Sequence, residues 1–373
     1  MKIILRYCLA LLFIGLNLVS CTKDNDLAED INRSVLIYMG ANNNLSQNAI
    51  DNINSMEQAL LQTKADIIVY VNLPNQPPRI FKIQPDNSPE IKSQVLKTYG
   101  DHNSADPAVM KDILQTMQQF ARGRSQGLIL WSHASNWLPD GNNKPSTRSF
   151  NDDNGRKTNV KELAAILPSA LDFLIFDACN MASVEVLYEL RNKAKYAIAS
   201  PSEILTTGMP YELIINDLTN DNLEAGLRET AKKYFNFYND KTGPYQSASI
   251  SLIDNRLWNS FLNETKLLTL QNSNLQVDLQ ELQRLEFDPY SITVSYDFMD
   301  FMRRQYGDVR SLQNAMDKLI LYKAHTPYFL NKPIHTFSGL SCYLPTSQTA
   351  WAHGFFRELD WAKDSGFTNF ILD

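Results

Sequence analysis

Gly127-Leu128-Ile129-Leu130-Trp131-Ser132-His133 and Leu174-Ile175-Phe176-Asp177-Ala178-Cys179 decide how this chain folds. Each is a short apolar run that turns polar only in its last residues, the pattern of a strand covered on both faces. In open α/β sheets, ligands bind just past the carboxyl ends of parallel strands, where the backbone turns out toward solvent. Two such strands ending in an imidazole and a thiol predict a base and a nucleophile on a rigid floor, and so thiol-based nucleophilic catalysis. The plain alternative is that Cys179 packs like any small apolar side chain and His133 is a polar tip. Their equivalent placement, with helix-forming sequence after Cys179, favours the catalytic reading.

Working outward, Ser34–Met39 reads as a buried strand, followed by the turn-prone Asn42-Asn43-Asn44 and a helix capped by Ser46. Asp66–Leu73 is a second strand and Arg79–Gln84 a third. Asp106 caps an amphipathic helix from Pro107 to about Ala121. A long polar loop runs from Ala134 to about Thr158, a length that in a compact domain marks function or disorder. Asn159 caps a short helix before the Cys179 strand; a helix over Met181–Asn192 and a strand over Tyr196–Ala199 follow. Strands alternating with helices predict an α/β fold with a mainly parallel sheet covered by helices on both faces. Beyond Glu212 the pattern predicts helices at 212–240, 256–270, 296–304 and 311–324, with strands at 246–253 and 337–344. The expected division is a core over 33–240 and a C-terminal α+β part over 241–373, packed on it.

Residues 1–20 carry Lys2 and Arg6 ahead of an apolar stretch, the layout of a secretory signal peptide too short to span a membrane. It ends in Leu18-Val19-Ser20-Cys21, which resembles a bacterial lipobox, so Cys21 is the expected lipidation site and 21–32 a polar tether. That predicts an exported lipoprotein anchored to a membrane, at the outer membrane or cell surface. With Cys8 and Cys21 set aside, only Cys179 and Cys342 remain, and two interior cysteines make no disulfide framework. A bridge between them stays open, although Cys342 reads more simply as a packed residue of a strand. A formal net charge of −6 without a basic block argues against a nucleic-acid partner. No zinc-ligand spacing occurs. The expected chemistry requires no cofactor, and a calcium requirement stays open, since Asp152 and Asp153 show no calcium-loop spacing.

A free thiol is only a few per cent ionised at neutral pH, so His133 is needed to generate the thiolate and then to protonate the leaving amine. A helix starting close behind Cys179 lowers the thiol pKa further through its dipole. The backbone N–H groups of Cys179 and Ala134 are candidates for an oxyanion hole. Ser132 and Ser135 are the alternative nucleophiles.

His133-x-x-x-Trp137, Phe176-Asp177-Ala178-Cys179-Asn180-Met181, Glu185-Val186 with Tyr188-Glu189-Leu190, Tyr38–Asn44 and Gly339–Pro345 together resemble the clostripain family of cysteine peptidases. The resemblance implies a caspase-like fold shared with legumains and gingipains, Cys179 as nucleophile with His133 as partner, and cleavage after Arg or Lys. It departs at Ala134 and Asn136, where the family commonly has Gly, and Gly permits backbone angles denied to other residues. A catalytically silent protein of this fold that binds peptides or a partner is the rival reading.

A basic substrate side chain needs an acid in its pocket. Asp177 lies two residues before Cys179, on the same side of the strand and roughly 7 Å away along it; Glu203 is the second candidate. An enzyme cutting after basic residues that carries Lys144, Arg148, Arg156 and Lys157 in a loop beside its own base also predicts self-cleavage there. Arg148 is the first choice, because Pro145 follows Lys144.

Overall fold

The computed structural model describes residues 31–138, 150–272, 274–288 and 294–371. The expected signal segment, Cys21, Lys144 and Arg148 lie outside the described residues. In chain order, β1 (Arg33–Gly40), α1 (Ser46–Ala59), β2 (Asp66–Asn72), β3 (Arg79–Lys82), β4 (Gln94–Thr98), α2 (Pro107–Phe120) and β5 (Ser125–Trp131) come first. The hairpin β6 (Phe150–Asp153) and β7 (Arg156–Thr158), α3 (Val160–Ile166), β8 (Leu171–Asp177), α4 (Val184–Glu189), β9 (Ala194–Ala199), α5 (Tyr211–Leu218) and α6 (Leu223–Asn239) follow. The C-terminal part supplies β10 (Ser249–Asp254), α7 (Trp258–Gln271), β11 (Tyr296–Asp297), α8 (Phe298–Tyr306), α9 (Arg310–Leu319) and β12 (Ile320–His325). It ends with β13 (Tyr328–Phe329), β14 (Lys332–Pro333), β15 (Ser341–Cys342), α10 (His353–Phe356) and α11 (Asp360–Ser365).

Nine strands form one mixed sheet in the order β12-β10-β9-β8-β5-β1-β2-β3-β4. The central five, β9 to β2, are all parallel, and antiparallel strands close both edges. Alternation along each strand feeds two cores. Leu36 and Tyr38 of β1 face α2, α3, α4 and the helices of the C-terminal part. Val35, Ile37 and Met39 face α1, α5 and α6.

Several local expectations change. Ser46 is the first residue of α1 and does not cap it, whereas Asp106 and Asn159 cap their helices as expected. The helix after Cys179 is only six residues, Val184–Glu189, with Ser183 as its cap. The segment 311–324 splits, because β-branched and aromatic residues at its end form edge strand β12. The last part of the expected loop after His133, residues 150–158, is instead a hairpin. Asn154 (φ 53°) and Gly155 (φ 80°) make the primed two-residue turn of the β6–β7 hairpin. Cys179 and Cys342 are both free thiols, the second buried in β15.

Candidate active site

Parallel pairing sets Trp131 of β5 opposite Asp177 of β8. His133 and Cys179 therefore stand at equivalent places, each two residues beyond the end of its strand. Both are half-buried. They are not hydrogen-bonded to each other, and each has a different neighbour.

His133 Nε2 lies 2.7 Å from Asn44 Oδ1. With the amide oxygen accepting, Nε2 carries the proton and Nδ1 is the basic nitrogen. The sequence offered Asn42-Asn43-Asn44 only as a turn, yet each side chain has its own contact. Asn42 donates to Asp153 Oδ1 (2.8 Å) and Asn43 to the Asp152 carbonyl (2.8 Å), while the Asn43 side chain accepts from Leu45 N–H (2.9 Å). Asp153 also accepts from Asn72, Ser104 N–H and the Ser104 hydroxyl, at 2.6–2.9 Å. This buried carboxylate thus pins the β6–β7 hairpin to the ends of β1 and β2. Asn151 N–H closes the arrangement on the His133 carbonyl at 2.9 Å. Burial holds the His133 imidazole below its ordinary pKa, partly offset by Asp152.

Among the other described residues, the Cys179 thiol is hydrogen-bonded to Ile204. Ile204 N–H donates to Sγ at 3.3 Å, and the thiol faces the Ile204 carbonyl at 3.7 Å. Burial pushes the thiol pKa up to about 12, opposed by the Ile204 hydrogen bond and reinforced by the charges of Glu203 and Asp177. The expected lowering by a helix dipole does not arise, because α4 starts five residues away and is short.

Asp177 is 4 % exposed. Its Oδ2 accepts from Met209 N–H and the Tyr211 hydroxyl, both at 3.0 Å, and Oδ1 takes no hydrogen bond from a described residue. Burial raises its pKa to about 6. Gly208 (φ 70°) passes so close that a β-carbon there would lie 2.8 Å from Oδ2, which excludes any larger residue. Glu203 points elsewhere. Its Oε1 accepts from the backbone N–H groups of Phe287 (2.8 Å) and Asp288 (3.1 Å).

The two departures from glycine resolve differently. Ala134 is buried and is not among the residues with positive φ, so a side chain costs nothing there. Asn136 has φ 74°, the left-handed region that Asn tolerates best after Gly. Its side chain makes three hydrogen bonds: Oδ1 accepts from Ser183 (2.7 Å) and Trp137 N–H (2.9 Å), and Nδ2 donates to Ser295 (3.1 Å). The N–H groups of Ala134 and Cys179 make no hydrogen bond to another described residue. Ser132 is buried, with its hydroxyl donating to the Gly40 carbonyl at 2.6 Å. Ser135 is half-buried in the same loop.

The remaining motif residues bind the site to the C-terminal part. Trp137 packs on Tyr343 and Phe356 with ring centroids 5.1 and 5.3 Å apart. Glu185 accepts from Tyr343 N–H (2.9 Å), Tyr188 donates to Asp364 (2.9 Å) and Glu189 accepts from Asp360 N–H (2.9 Å). Among the described residues, no group of three His, Cys, Asp or Glu side chains is placed to hold a metal ion.

The sequence model of the clostripain family matches residues 37–365. The structure is similar to that of an inactive zymogen C11 protease from Parabacteroides distasonis, at 28% identity and TM-score 0.75 over 89% of this chain and 97% of that one. It is also similar to a secreted C11 cysteine protease from Bacteroides thetaiotaomicron in complex with an irreversible peptide inhibitor, at 26% identity and TM-score 0.76 over 90% and 98%. No curated protein matches the chain. With a caspase-like mixed sheet and a family match over most of its length, the chain belongs to the clostripain family of cysteine peptidases.

Proposed function

We propose that the chain cleaves peptide bonds after Arg or Lys, with Cys179 as nucleophile and His133 as acid and base. The observation that supports this reading is the matched register of β5 and β8, with each residue two positions past the end of one of these neighbouring strands. His133 Nδ1 takes the thiol proton, and the thiolate attacks the scissile carbonyl carbon. The oxyanion that forms is stabilised by the N–H groups of Cys179 and Ala134. As the C–N bond breaks, His133 returns the proton to the departing amine, leaving a thioester on Cys179. Water, deprotonated by His133, then releases the carboxylic acid and restores the thiol.

Asp177 is the candidate partner for the substrate cation, because its Oδ1 takes no hydrogen bond from a described residue and the residue lies two positions before Cys179. Glu203 is the weaker candidate, since its carboxylate is already engaged by two backbone N–H groups. Self-cleavage at Arg148, with Lys144 second, fits the ion pairs of the other two basic residues. Arg156 pairs with Asp106 (3.0 Å) and Lys157 with Asp152 (3.7 Å), within a hairpin. Export with lipidation at Cys21 places this activity at a membrane surface, acting on peptide or protein substrates.

Fluorogenic peptides ending in Arg, Lys and a neutral residue test the reading under reducing conditions. Turnover of the basic peptides, lost on thiol alkylation, is expected. No turnover of any of them, even after nicking by trypsin, favours the silent peptide-binding alternative.

A further inference from the structure

We propose that Glu203 is a positioning residue: through two backbone N–H groups of the C-terminal part it clamps the Ile204 peptide onto the Cys179 thiol, holding the nucleophile occupied in the resting protein. The proposal deepens the reading of Cys179 as the nucleophile and rests on it.

Residues 203–205 form a strap across the thiol. Ile204, at its centre, presents both N–H and carbonyl to Sγ, at 3.3 and 3.7 Å. The residues on either side of Ile204 are fastened to the same distant segment. Glu203 Oε1 accepts from Phe287 and Asp288 N–H. Leu205 packs against the small apolar cluster of Leu285, Phe287, Phe329 and Ile334, in which the Phe287 and Phe329 rings stack at 5.1 Å. Further along, the segment is tied down again. The Thr207 carbonyl accepts from Asn52 (3.2 Å), the Gly208 carbonyl from the Tyr238 hydroxyl, and Met209 N–H donates to Asp177. Both ends are fixed and the middle lies on sulfur.

This arrangement opposes catalysis by position. A scissile carbonyl carbon must come within bonding distance of Sγ, and the Ile204 peptide lying on that sulfur, with its N–H at 3.3 Å, stands in the way. A carboxylate oxygen accepting two N–H bonds is a charge-assisted contact, stronger than one between neutral groups. Since those donors lie some 80 residues away in the chain, the C-terminal part sets whether the nucleophile is open.

The rate at which iodoacetamide alkylates Cys179, read by intact mass on the full chain, tests this; alkylation forms an S–C bond as iodide leaves. Glu203→Gln removes the charge but keeps an amide oxygen able to accept both N–H groups, whereas Glu203→Ala removes both. The expected result is labelling within about twofold of wild type for Gln and roughly tenfold faster for Ala, the population shift expected from losing a charge-assisted hydrogen bond. Leu205→Ala, which loosens the other anchor, is expected to accelerate labelling as well, and it carries the test if Glu203→Ala melts early. Wild-type rates in both alanine variants overturn the clamp. Equal acceleration in Gln and Ala also overturns it, since charge alone then acts on the thiol. If Glu203 is instead a pocket acid, both variants lose kcat/KM for basic substrates while labelling stays unchanged. Peptidase activity that survives full alkylation of Cys179 defeats the nucleophile assignment, while the labelling rates still judge the clamp.

Discussion

Replacing Asp177 by Asn separates what this carboxylate does for substrates from what it does to stability. The carboxyl is 4 % exposed, and burial pushes its pKa from the ordinary 3.8 to about 6. The folded protein therefore holds this proton more tightly than the unfolded chain does. The stability it contributes is fully present below pH 4 and is lost as pH rises through 6. At about 1.4 kcal/mol per tenfold change in proton affinity, the ionised group costs the folded state about 3 kcal/mol at pH 8. Asn escapes that cost. Its amide oxygen can still accept from Met209 N–H and the Tyr211 hydroxyl, while the new NH₂ at the other position gives back about 1 kcal/mol. The expected net gain is roughly 2 kcal/mol at pH 8, turning into a loss of up to about 1 kcal/mol at pH 4, where only the cost of the amide remains. For a domain of this size the gain corresponds to a rise of about 3 °C in Tm. Thermal melts in a Cys179→Ala background, which prevents self-cleavage, give this directly. The same substitution is expected to lower kcat/KM for Arg peptides roughly tenfold to a hundredfold, the loss of one charge-assisted contact. In wild type, KM for basic peptides should rise as pH falls through about 6, because the protonated acid no longer attracts a cation. A Tm change identical at pH 4 and pH 8 refutes the argument from burial. An unchanged Arg preference removes Asp177 from the pocket.

Cys179→Ala is expected to abolish turnover with the fold intact, and Cys342→Ala to leave turnover largely unchanged; rates and melts of both variants decide it. Asn44→Ala removes the hydrogen bond at His133 Nε2 and should lower kcat roughly tenfold with little change in KM; kcat and KM within twofold of wild type would show that the imidazole is oriented without it. Purified wild type should separate into two fragments on a denaturing gel, the larger beginning at Ser149, while Cys179→Ala stays whole. A fully active, uncut wild type counts against self-cleavage.

The central strands and the positions of His133 and Cys179 were legible because burial on both faces leaves a continuous apolar run, here too short for a buried helix. The capped helices at 107–120 and 159–166 were legible for a similarly local reason, a side chain bonded to backbone three residues on. The helix after Cys179 was overestimated and β12 was merged into a helix, since tertiary pairing overrides local propensity at sheet edges and short connections.

What the sequence determined by itself was the alternation of the central strands and helices, the family resemblance, and which residues end those strands. All of these follow from side-chain type and spacing. Only the tertiary structure decided that Asn44 meets His133, that Asn136 fills a left-handed position, and that Glu203 reaches residues 287 and 288 to lay Ile204 on the thiol. Those contacts join segments tens of residues apart, and a hydrogen bond between loops depends on where the whole sheet carries their ends. No local pattern of residues records that distance.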